Sequence, residues 1–191
     1  MQSSNGVTLS VKKGRDITGA KEKVFKYYKD MIDRNSFIVY LFNADVFSTQ
    51  VEQRKLIVEL IFCIALLINS KENDLEKRIK VLNQKKELTS IEKKELKRLK
   101  YNRTVGTNVI IVPTWKSKCK IDEIDLNNKL IEELQKDDFL NNKIVLNQGE
   151  HVKICNMYEF VVEENGEKKL NIKSLKILED EMVKFFTKNL K

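Results

Sequence analysis

Two short runs, FIVYLF at residues 37–42 and VIIVP at 109–113, constrain this chain more than any other feature. Each is continuously apolar, rich in β-branched and aromatic residues, with no alternation of polar positions. A strand of that kind is covered on both faces, as in a parallel sheet flanked by helices. Parallel neighbours need long crossovers, and helical patterns lie between and around these runs. From Lys21 to Arg34, Val24, Phe25, Tyr28, Met31 and Ile32 recur at helical spacing and form one apolar face. Thr49 and Glu52 have capping-box spacing, opening a helix expected to run to about Asn69 and to be buried after Leu56. Asp122 to Lys136 reads as a helix with Ile124, Ile131 and Leu134 turned inward.

VTLSV at 7–11 and KIVLN at 143–147 read as further strands. Asn165-Gly166 lies between two strand-like runs and predicts a tight hairpin. Leu175, Leu178, Met182, Phe185 and Phe186 mark a closing amphipathic helix. The expected class is α/β, a mostly parallel sheet with helices on both faces, in a single domain spanning residues 1–191.

Residues 72–101 interrupt this rhythm. Leu75, Ile79 and Leu82 give a narrow seam, Thr89 and Glu92 a second capping box, and Ile91, Leu96 and Leu99 follow. The segment reads as an inserted helical hairpin turning near Glu87 to Ser90. It is also where the charge sits. Residues 71–103 hold twelve Lys/Arg against six Asp/Glu, so +6 of the formal +8. Lys93, Lys94, Lys97 and Arg98 are the candidate contacts to nucleic acid or to an acidic partner. Acidic residues interleave with these cations, and Tyr101 alone is placed there for stacking.

The longest apolar run, Leu60 to Ile68, is nine residues, against the ~20 needed to span a bilayer, so no membrane span is expected. Three widely spaced cysteines make no disulfide framework, and the expected setting is cytoplasmic. His151, Cys155 and Cys119 are the only grouping suggestive of zinc or thiol chemistry, and no motif supports either. No catalytic or metal-binding residue is assigned.

The stretch KKGRDITGAKEK, residues 12–23, nearly spells a phosphate-binding loop. Gly14 and Gly19 have the right spacing, but Ala20 precedes Lys21, and Glu22 stands where a hydroxyl should bind Mg²⁺. Its inner Asp16-Ile17-Thr18-Gly19, between a strand and a helix, resembles the second switch of the GTPase superfamily. FIVYLFNAD at 37–45 then resembles the strand that follows that switch. VIIVPTWKSK at 109–118 falls where the family places its guanine-reading Asn/Thr-Lys-x-Asp. Thr114 fits the first position of that motif, whereas Trp115 replaces the Lys and Ser117 the Asp.

The resemblance spans roughly residues 7–187 and lacks the phosphate-binding loop, the first helix and the first switch. It implies a partial P-loop GTPase-like fold with Asp16 and Gly19 as switch-like residues and Thr114 and Trp115 as remnants of a base site. It implies a binding or regulatory module, working with a protein partner, that does not hydrolyse nucleotide by itself. GTP and Mg²⁺ would enter only if a partner supplied the phosphate loop. The alternative reading is a nucleic-acid-binding protein acting through the 72–101 hairpin.

Overall fold

The structure, a computed structural model, describes residues 21–34 and 37–188. The strand expected at Val7–Val11, and the switch-like Asp16 and Gly19, lie outside the described residues. The chain runs α1 (Lys21–Arg34), β1 (Phe37–Asn43), α2 (Ala44–Thr49), α3 (Val51–Asn83), α4 (Ser90–Val105) and β2 (Asn108–Thr114). It continues with α5 (Glu123–Gln135), a short α6 (Asp138–Leu140), a π-helical turn (Asn141–Val145) and β3 (Val152–Ile154). A hairpin of β4 (Val161–Glu164) and β5 (Glu167–Leu170) leads into α7 (Ile172–Lys188).

The two continuous apolar runs are neighbouring parallel strands, paired from Phe37↔Asn108 to Asn43↔Thr114. Beyond β2 lies β3, also parallel, from Val109↔Val152 to Ile111↔Ile154, so the sheet order is β1-β2-β3. Alternation along each strand divides the core in two. Ile38, Tyr40, Phe42, Val109, Ile111 and Val152 face the larger cluster, built with Ile32 of α1, Ile57, Ile61 and Ile64 of α3, and Leu126, Leu130 and Leu134 of α5. Phe37, Val39, Ile110 and Val112 face the other way, onto Leu178, Phe185 and Phe186 of α7. Helices therefore cover both faces. Every residue of β2 is buried, whereas β1 is fully buried only on the face of Ile38, Tyr40 and Phe42. The other face of β1 is half-buried and leaves Leu41 exposed, so the expected cover on both faces holds for β2 and only in part for β1.

Several expectations are corrected. KIVLN is no strand: Leu140 and Ile144, one helical turn apart, are both buried, and the chain coils through them. An apolar run this short does not distinguish strand from helix by periodicity. The third strand is instead Val152–Ile154. Thr49 and Glu52 do not open α3, because the residue before it is Gln50, which makes no side-chain cap. The Thr49 hydroxyl donates within α2 to the Asp45 carbonyl at 2.7 Å, and Glu52 pairs with Lys55 at 3.2 Å. On α5, Ile124 is exposed, while Leu126 and Leu130 join Leu134 in the core. Leu56 and Leu66 of α3 keep partial exposure, so that helix is not apolar all round. Pro113 does not end β2, which continues to Thr114.

The hairpin exists, but its first arm is no separate insertion. α3 runs unbroken for 33 residues, about 50 Å, and its second half is that arm. The chain turns through residues 84–89, and the expected capping box starts α4: Glu92 N–H donates to Thr89 Oγ1 at 3.2 Å, and Thr89 N–H to Glu92 Oε2 at 2.9 Å. Ile79, Leu82 and Leu99, with Leu75, Leu88 and Leu96 at the margin, form a small core separate from those on the sheet. Ile91 lies outside it, exposed. Asn165 and Gly166 both take positive φ, 56° and 77°, as a two-residue hairpin turn of this kind requires.

Candidate functional site

In a parallel α/β sheet, ligands gather beyond the carboxyl ends of the strands. Here β1 ends at Asn43 and β2 at Thr114, side by side, and a cavity of about 280 Å³ opens there. Leu41, Trp115, Phe160 and Val161 supply apolar surface, and Asn43, Thr114 and Glu159 the polar groups. Asn43 is turned toward the protein, its side chain accepting from Val46 N–H at 3.1 Å to start α2. Thr114 is buried and donates its hydroxyl to the Phe42 carbonyl at 2.9 Å. It fastens the two strand ends together and does not point at a ligand.

Trp115 differs. Directly after β2 its backbone turns left-handed, φ 66°, a conformation a bulky residue adopts only where its surroundings impose it. The turn that imposes it closes when Lys118 N–H and Cys119 N–H donate to the Trp115 carbonyl at 3.1 and 3.3 Å. The result is an indole 43% exposed at the mouth of the cavity. Ser117, at the position where the resemblance calls for Asp, donates its backbone N–H to Glu159 Oε2 at 2.6 Å. A carboxylate therefore stands beside Trp115, contributed from the strand-like stretch after β3. Sequence reasoning passed over Glu159 and Phe160, since one acid within YEFVV carries no signal of its own.

A second polar cluster sits between β3 and α7. Glu181 Oε2 receives Lys153 Nζ at 3.0 Å and the Cys155 thiol at 3.4 Å. Burial alone would raise the Glu181 pKa, but hydrogen bonds from Lys153, Cys155 and Tyr158 outweigh it and the net shift is downward. Burial, with the Glu181 charge beside it, pushes the Cys155 thiol up to about 12. A thiol held protonated is no nucleophile at neutral pH. The three residues singled out for zinc or thiol chemistry also lie apart. Cys155 belongs to the core under α7, and Cys119 packs on the opposite face of the sheet. His151 lies against Gly106, with Nδ1 3.4 Å from Asn108 Oδ1. Among the described residues no group of three or more His, Cys, Asp or Glu is placed to hold a metal ion.

Lys93, Lys94, Lys97 and Arg98 are all exposed on α4, some distance along the hairpin from the sheet. Asp16 and Gly19 lie outside the described residues, so of the base-site and switch residues only Thr114 and Trp115 are placed. No described helix is long and apolar enough to cross a membrane. The chain matches no protein-family model, no curated protein and no solved structure.

Proposed function

We propose that this chain is a GTPase-like α/β binding or regulatory module that takes its ligand at the carboxyl ends of β1 and β2 and does not hydrolyse nucleotide alone. The observation that carries this reading is the cavity itself. It lies at the end of the sheet where α/β folds bind ligands, beside the segment that resembles the guanine motif. A strained, half-exposed Trp115 forms its lip. An indole so placed suits stacking on a planar base. The Glu159 carboxylate beside it offers acceptors for the paired N–H groups of a guanine-type base, the task for which Ser117 has no charge.

The chain's own means of holding phosphates are poor. The loop at 12–23 is misspaced and carries Glu22, a carboxylate that repels phosphate, where a hydroxyl should bind Mg²⁺. A triphosphate therefore adds nothing to what the base contributes, unless a partner brings the missing loop. The test compares guanosine with Mg²⁺–GTP, using the single tryptophan as reporter. Both are expected to shift Trp115 emission with affinities within about threefold of each other, and without phosphate release. Binding of Mg²⁺–GTP about a hundredfold tighter than guanosine would refute the proposal.

A further inference from the structure

The interleaving of acids and bases along 72–101 in the sequence becomes separation in space. Successive residues of a helix advance by about 100°, so an arc of roughly 160° on α4 holds Lys100, Lys93, Lys97, Tyr101, Lys94 and Arg98 in that order. All six are exposed. The only acids of α4, Glu92 and Glu95, project on the side that packs against α3. There they are answered by cations from outside α4, Glu95 by Arg78 and Glu92 by Lys85. Among the described residues, the five outward cations of α4 have no acidic neighbour on their own face of that helix and make no ion pair. The cap and the interhelical pairs that tie the acids down are thus also what leaves the outer face purely cationic.

We infer that this face of α4 is a docking surface for the sugar–phosphate backbone of duplex nucleic acid, independent of whatever occupies the cavity at Trp115. Charge complementarity names the partner: five outward cations spread over about 10 Å of helix match a row of phosphates. A single strand is bound through several stacked aromatics, and this face carries Tyr101 alone. A membrane surface would need an exposed apolar stripe beside the charge. Leu96 and Leu99 of α4 are already spent against Leu75, Ile79 and Leu82, and Ile91, exposed at the start of the helix, is a single residue and no stripe.

The test is fluorescence anisotropy of the full chain with a labelled duplex of about 20 bp across a salt series. Five phosphate contacts predict a slope of log K against log salt of about −4 to −5. The variant K93A/K94A/K97A/R98A is expected to bind at least about tenfold more weakly and to flatten that slope by about 3 to 4. Ala keeps helix propensity at these exposed sites, so the fold should survive. Should helicity fall nonetheless, the single variants decide, because Lys97→Glu must weaken binding more than Lys97→Ala. K168A/K169A/K173A/K176A removes the same charge from exposed residues elsewhere and is expected to leave the slope unchanged. No binding at low salt, equal loss in that control, or poly-glutamate bound as tightly as the duplex overturns the inference.

Discussion

The hydroxyl of Thr114 at the end of β2 donates to the carbonyl of Phe42 at the end of β1, 2.9 Å away. This bond turns a residue that the sequence presents as a base contact into a clasp between strands. Thr114→Val keeps the shape and removes only the donor, so it should cost about 1 kcal/mol of stability. Ligand response at Trp115 should not change. A urea titration reads the first effect and Trp115 emission the second; weakened ligand binding at full stability would restore Thr114 as a contact residue.

The Glu181 cluster predicts instability at both ends of the pH scale. Glu181 has a lowered pKa when folded, so as pH falls through the carboxylate range the unfolded chain binds a proton first, and stability is lost. Cys155 and Tyr158 have raised values, mainly through burial. Above the ordinary thiol value of 9.0 the unfolded chain gives up a proton that the folded chain keeps until about 12, so stability falls again as pH rises. Melting temperature against pH should show both limbs. Glu181→Gln should flatten the acid limb and only weaken the alkaline one, because burial, the larger cause of the raised Cys155 and Tyr158 values, remains when the Glu181 charge is removed.

The same cluster predicts selective thiol chemistry. Cys155 is buried and held protonated, whereas Cys63 and Cys119 are half-buried. Iodoacetamide at pH 8 should spare Cys155 in the folded chain and modify it once urea unfolds the protein. Peptide mapping by mass spectrometry checks this, and rapid native labelling of Cys155 would contradict it.

The hairpin should loosen without the sheet. Its small core shares no buried residue with those on the sheet, and its turn is held by the Thr89–Glu92 box. Thr89→Ala should cost about 1 kcal/mol and Leu99→Ala about 2–5 kcal/mol. Hydrogen exchange should quicken in α4 and the second half of α3 while β1 and β2 stay protected. Uniform loss of protection would mean that hairpin and sheet unfold as one unit.

Much of this architecture is legible in the residues. Continuously apolar runs announce β1 and β2, although β1 is fully buried on one face only; helical spacing announces α1 and α7, and Asn165-Gly166 announces its hairpin. The third strand is not legible, because Val152–Ile154 is three residues long with Lys153 at its centre, and only the neighbouring β2 makes it a strand. The length of α3 is hidden for a related reason. Its apolar face narrows where it leaves the sheet and meets α4 alone, so one helix reads as two. At the candidate site, Trp115 can be picked out, whereas Glu159 cannot. Its place beside Trp115 depends on a hydrogen bond from Ser117, 42 positions away. The acid-free face of α4 likewise needs Arg78 and Lys85, which lie outside that helix.

The most direct measurement is a titration of the purified chain with guanosine and with Mg²⁺–GTP, following Trp115 emission and released phosphate together. The account predicts an emission change with both ligands at comparable concentrations, about millimolar, and no phosphate release. GTP binding about a hundredfold tighter than guanosine, turnover by the lone chain, or no emission change with either ligand would contradict it.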